Sequence, residues 1–226
     1  SQARAQQPQK FPLGHNFDEF KPKNIIDHEL ALDPWLGPEV VDFSRLFLAG
    51  ESAGATIMFN VTMRTANHNP RLDLSPLQIQ GLLFIHPGFH TEAKRGDMVD
   101  RTDISMNRDP ILSNVEERYK MALPLGETLD YPGINPMSPR ALPLTLLSVC
   151  PNLLICLAEM DFRNELAMRF YEEVKGICEN VDLFITPRKG HIFHLYEPNC
   201  VKTRELESHM VQFIKKCCIR DQLRIN

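Results

Sequence analysis

Short runs of consecutive apolar residues alternate along this chain with stretches in which apolar residues recur every three or four positions. The first run, Leu46-Phe47-Leu48-Ala49, is short enough to be a buried strand, and the small residues after it lead into Thr56-Ile57-Met58-Phe59-Asn60-Val61. That pattern predicts a helix over 53–66, with Ile57, Val61 and Met58 turned inward, broken by Asn69-Pro70. Residues 79–85 form a second apolar run, closed by His86-Pro87-Gly88, and residues 153–158 form a third. A helix over 162–178 carries Leu166, Phe170, Val174 and Ile177 on one face. Residues 181–186 predict a fourth strand, and a closing helix over 203–218 places Leu206, Met210, Phe213 and Ile214 on one stripe. Strands alternating with helices imply an α/β fold with a mostly parallel sheet flanked by helices.

Two segments fall outside this rhythm. Residues 1–32 are polar and interrupted by Lys21-Pro22-Lys23, and read as a loosely attached lead-in to a domain over 33–226. Residues 91–140 are mixed and charged, with a helix expected over 115–121 and turns at Tyr131-Pro132-Gly133 and Asn135-Pro136. They read as a variable insertion lying over the domain.

The first strand ends in chemistry. Gly50-Glu51-Ser52-Ala53-Gly54 is a Gly-x-Ser-x-Gly motif between a strand and a helix, the setting of a nucleophile elbow. So tight a turn needs small neighbours, so Gly50 and Gly54 are expected to leave room while Ser52 is pushed out in a strained backbone geometry. The Ala53 N–H, at the helix start, then points to where an oxyanion would form.

A serine nucleophile needs a base, and the base an orienting acid. Glu159-Met160-Asp161 follows the third strand, and Gly190-His191-Ile192-Phe193-His194 follows the fourth. This supplies the order Ser, acid, His, with room between acid and histidine for one helix and one strand. Asp161 is far enough past its strand to reach the next loop, and Glu159 is the reserve. His191 follows Gly190, which frees its loop, whereas His194 packs or caps the next helix. His86, also at a strand end, is left to line the pocket. His15, His28, His68, His90 and His209 read as solvated and form no metal pattern.

Composition narrows the partners. With 226 residues, 43% hydrophobic and 24% charged, the chain can bury a sizeable core. A net charge of -4 and a pI near 6.1 leave no basic footprint for nucleic acid. No apolar run is long enough for a membrane span, and the start lacks the apolar core of a signal peptide. The six cysteines contain no CxxC pair and read as reduced thiols of a cytoplasmic protein, with no metal or cofactor expected.

Asp33-Pro34-Trp35-Leu36, the run from Asp42 through Gly54, Asn60-Val61, Met63-Arg64, His86-Pro87, Asn135-Pro136 and Gly190-His191-Ile192-Phe193-His194-Leu195 together resemble plant carboxylesterases of the hormone-sensitive-lipase-like α/β-hydrolase group. The resemblance covers residues 33 to about 216. It implies Ser52 as nucleophile, Asp161 as orienting acid and His191 as base, in cofactor-free hydrolysis of a small ester. The group also contains the gibberellin receptors, hormone-binding proteins that lost the catalytic histidine, and it permits drift toward cyclase- or lyase-like chemistry. His191 favours the esterase among these. The family's His-Gly-Gly-Gly oxyanion loop is not found in these residues. The expectation is therefore a partial sequence or altered gene model lacking the N-terminal strands, with an exposed sheet edge beside Leu46 and Leu48 and with activity in doubt.

Overall fold

The computed structural model of the chain describes residues 35, 37, 40–68, 74–91, 115–161 and 163–225. The expected lead-in over 1–32, His15 and His28, and residues 92–114 of the expected insertion lie outside them. Contacts divide the chain into two units, 1–42 and 43–226. In the first, the Val40 and Val41 N–H groups both donate to the Gly37 carbonyl, at 2.8 and 2.9 Å, closing a turn.

Among its described residues the second unit carries four strands, β1 (Leu46–Glu51), β2 (Ile79–Ile85), β3 (Asn152–Ala158) and β4 (Asn180–Thr186). They pair in chain order and all in parallel. Among the described residues five helices accompany them: α1 (Ala53–Asn67), α2 (Val115–Ala122), α3 (Asn164–Val174), and after β4 the single turn α4 (Phe193–Tyr196) and α5 (Val201–Ile225). A 3-10 turn at Leu144–Val149 precedes β3.

Strand side chains alternate between two cores, which is why the central strands read as unbroken apolar runs. Leu82 and Phe84 of β2 and Leu153, Ile155 and Leu157 of β3 pack against α1 and α3. Leu83, Leu154, Cys156 and Ala158 face the other way, onto Phe193, Leu206, Phe213 and Cys217. Burial of each large side chain contributes about 1.5–3 kcal/mol. An aromatic cluster of Phe59, Phe84, Phe89 and Phe170 fills the first core, with ring centroids 5.0 Å apart for Phe89 and Phe170.

The expected helix α1 forms with Met58 inward as anticipated, but the rest of its inner face differs. Ile57 and Val61 are 65% and 53% exposed, whereas Ala55, Met58, Phe59, Thr62 and Met63 are buried. Phe59 and Met63 lie one turn apart, and together with Met58 they make the apolar stripe that the sheet covers. Helix α3 buries Leu166, Phe170 and Val174 as anticipated, and α5 buries Leu206 and Phe213 with Met210 and Ile214 beside them. Helix α5 starts two residues before the predicted limit and runs on to Ile225, seven residues past it. His90 and His209 are not simply solvated. His90 packs edge-on against Tyr119, and His209 stacks on Phe184.

The described half of segment 91–140 is tied to α1 and to the loop after β2. Asn60 Nδ2 donates to the Gly133 carbonyl at 2.8 Å, and the His90 N–H donates to the Ile134 carbonyl at 3.0 Å. All six cysteines are free thiols. Among the described residues no helix is long and apolar enough to cross a membrane.

Candidate active site

Sheet register levels the strand ends. Glu51 pairs with Ile85, Ile85 with Cys156 and Cys156 with Phe184, so the loops after all four strands open on one edge of the sheet. The four non-glycine residues with positive φ among the described residues, Ser52, His86, Arg188 and Ile192, all lie in those loops. Each such conformation costs about 1–3 kcal/mol and persists only where surrounding bonds enforce it.

Ser52 has φ 51° and ψ −119°. It is held from both sides: its N–H donates to the Ile85 carbonyl at 2.9 Å, and its carbonyl accepts from Gly88 at 2.8 Å and Ala55 at 3.1 Å. Gly50 is sterically required, because a Cβ there would stand 2.5 Å from the Gly54 carbonyl oxygen. Gly54 is not, contrary to the expectation of a matched pair. Among the described residues nothing lies within 4 Å of a Cβ at that position. Gly88 takes over part of the role, since its Cβ would lie 2.8 Å from the Ser52 carbonyl carbon and 2.9 Å from the Ala53 nitrogen. Ala53 opens α1, and N–H groups of a first helical turn have no acceptor within the helix.

The structure brings Ser52, Asp161 and His191 together. His191 Nε2 lies 2.9 Å from Ser52 Oγ, and His191 Nδ1 lies 2.6 Å from Asp161 Oδ2. Asp161 is positioned by its own N–H donating to the Ala158 carbonyl at 2.9 Å. The loop carrying His191 is pinned at three points. The Met160 N–H donates to the Lys189 carbonyl, the Arg188 N–H to Glu159 Oε2 at 2.7 Å, and the Ile192 N–H to His86 Nδ1 at 3.1 Å. Glu159 therefore anchors the loop and does not meet the imidazole. His194 lies in α4 with Nε2 3.1 Å from Glu51 Oε1, within ion-pair reach of the residue preceding the serine.

Burial would raise the Asp161 pKa, but the His191 hydrogen bond and the Arg163 charge overcome it and hold the carboxyl at about 2. Burial lowers the His191 pKa below its usual value, with Asp161 opposing in part. Burial, reinforced by His191, pushes His86 down to about 3. At neutral pH Asp161 is therefore an ionised carboxylate, and the imidazoles of His86 and His191 are uncharged.

Arg163 was not anticipated by sequence reasoning. Its N–H donates to Asp161 Oδ1 at 3.1 Å, its Nε lies 3.5 Å from the same oxygen, and its Nη1 lies 3.5 Å from Ser52 Oγ. Its position two residues past Asp161 was the available signal. Tyr119 of α2 also enters, donating to the Gly88 carbonyl at 2.5 Å, and nothing in the helical pattern of its segment marks it.

A family model described as alpha/beta hydrolase fold matches residues 24–195. The chain is 31% identical over 188 residues to probable carboxylesterase 13 of Arabidopsis thaliana, covering 81% of this chain and 55% of the relative. It is 30% identical over 190 residues to probable carboxylesterase 2 of the same plant, with the same coverage. The structure of esterase LipW from Mycobacterium marinum is similar with a TM-score of 0.55 and 22% identity, over 81% of this chain and 53% of that one. The chain thus spans about half the length of the curated relatives it matches.

Proposed function

The chain belongs to the alpha/beta hydrolase fold family, and from that premise we propose that it is a serine carboxylesterase acting on small carboxylic esters through an acyl-enzyme. The observation that carries this reading is the unbroken hydrogen-bond chain from Ser52 Oγ through His191 to Asp161. His191 Nε2 takes the hydroxyl proton as Ser52 attacks the ester carbonyl, and returns it to the departing alcohol. Water then repeats the sequence on the acyl-enzyme. Asp161, acceptor-only because it stays ionised, keeps the Nδ1–H tautomer and so leaves Nε2 free to act as base. The Ala53 N–H faces the developing oxyanion.

The test is labelling with a fluorophosphonate together with turnover of short p-nitrophenyl esters, on this chain and on Ser52→Ala. Labelling and turnover that both vanish in the variant are expected. A folded chain that neither labels nor turns over esters, yet binds small ligands, would replace the esterase with a binding protein on the same fold.

A further inference from the structure

Besides helping to keep Asp161 ionised, the guanidinium of Arg163 stands beside the nucleophile itself. The residue is 7% exposed, and its Nη1 lies 3.5 Å from Ser52 Oγ. The side chain is fixed at its base by the backbone and Nε contacts to Asp161 Oδ1. Farther out it hydrogen-bonds the Tyr119 oxygen, whose own proton goes to the Gly88 carbonyl. Gly88 in turn packs on the Ser52–Ala53 peptide so closely that a Cβ would stand 2.9 Å from the Ala53 nitrogen and 2.7 Å from the Tyr119 oxygen. The Arg163 guanidinium thus lies beside the nucleophile oxygen, while the Tyr119 hydroxyl and the Ala53 nitrogen both border Gly88 next to it. Arginine remains charged at any working pH and presents several N–H groups in a rigid fork.

We propose that Arg163 is a catalytic residue that donates, together with the Ala53 N–H, to the oxyanion of the tetrahedral intermediate formed on Ser52. This rests on the esterase reading above. In acylation, Ser52 Oγ bonds to the carbonyl carbon, the hydroxyl proton passes to His191 Nε2, and the carbonyl π pair moves onto oxygen. That oxygen is two bonds from Oγ, so a donor held beside Oγ reaches it. Collapse re-forms the carbonyl and expels the alcohol with the proton from His191. The negative charge exists only between these two events, so a buried cation there binds the intermediate more tightly than the neutral ester. Tyr119 aims the fork, and the Asp161 contacts keep it from swinging away.

The experiment compares the full chain with Arg163→Gln and Arg163→Lys on p-nitrophenyl esters, alongside inhibition by an alkyl trifluoromethyl ketone, whose hemiketal oxygen stands where the oxyanion forms. Loss of one such donor typically lowers kcat by about 10² to 10³. Arg163→Gln is expected to show that fall with KM nearly unchanged, and to weaken ketone inhibition by a similar factor. Arg163→Lys, which keeps the charge without the fork, should recover part of both. Its retained charge also reports on the site should the glutamine variant fold poorly. A glutamine variant with wild-type kcat, a loss confined to KM, or ketone affinity unchanged while kcat falls would overturn the assignment of Arg163 alone. A parent chain that hydrolyses no ester would overturn it together with the esterase reading.

Discussion

His191 Nδ1 stands 2.6 Å from Asp161 Oδ2, and both side chains are 2% exposed. A contact so short and so dry fixes which nitrogen carries the proton, and it does so only while residue 161 is an acceptor. Asp161→Asn keeps the size and the fold but offers an amide that can donate to Nδ1, stabilising the tautomer whose Nε2–H cannot accept from Ser52. The expected result is a fall in kcat on the order of 10⁴ with KM little changed, as for the corresponding change in a serine protease. Steady-state kinetics on a short ester check it, and a variant within tenfold of the parent would remove Asp161 from its role.

The acid limb of the rate profile follows from the same pair. His191 acts as a base only when neutral, and burial lowers its pKa below 6.5 despite the opposing carboxylate. Activity should therefore be flat through neutral pH and fall only below 6.5, as the imidazole takes up a proton. kcat/KM measured from pH 4 to 9, with circular dichroism recorded at each point, separates protonation of the base from unfolding. A midpoint above 7 would mean that another group carries the limb.

Much of this arrangement is legible in the residues, for identifiable reasons. A sheet covered on both faces writes its central strands as unbroken apolar runs, so Leu82 to Ile85 and Leu153 to Ala158 stand out. Parallel strands deliver their loops to one edge, so the sequence positions of Ser52, Asp161 and His191 after three strands bring them near one another. The phase of α1 was not legible. Ile57 and Val61 are as apolar as Phe59 and Met63, and only the contact with the sheet decides between the two stripes. The roles of Gly88 and Tyr119 at the elbow are not legible because their meeting depends on how a loop and α2 lie over it. No local pattern encodes that.

The unequal roles of the glycines around the elbow, Gly88 after β2 and Gly54 of the motif, give a sharp contrast. A Cβ at Gly88 would press on the Ser52–Ala53 peptide and on the Tyr119 hydroxyl, and neither backbone atom can retreat. Gly88→Ala should displace the elbow, reducing kcat/KM by at least about 10²-fold, the scale of loss that follows from misplacing reacting groups by an ångström. Gly54→Ala meets open space among the described residues, and in a helix Ala is favoured over Gly by roughly 0.5–1 kcal/mol. It should leave the rate near that of the parent and not lower the melting temperature. Kinetics and thermal melts of the two variants side by side decide the matter, and the reverse ranking would mean that the elbow is supported from Gly54 after all.

His86 provides the last test, through stability. It is 1% exposed, takes the Ile192 N–H on Nδ1, and has no hydrogen-bond partner for Nε2 among the described residues. Its folded pKa is about 3 against 6.5 when free, so between those values the unfolded chain binds a proton that the folded chain refuses. Stability is then full above pH 6.5 and declines as the pH drops toward 3, by about 1.4 kcal/mol per unit for this one group. Asparagine at this position tolerates the positive φ of 43°, can accept from Ile192, and does not titrate. Urea midpoints at pH 7.5 and 4.5 should show that His86→Asn loses roughly 2–3 kcal/mol less than the parent between the two conditions. Equal losses in both proteins would mean that His86 is protonated in the folded state, and that the imidazole wedge between the β2 end and the His191 loop is held by something other than its neutral form.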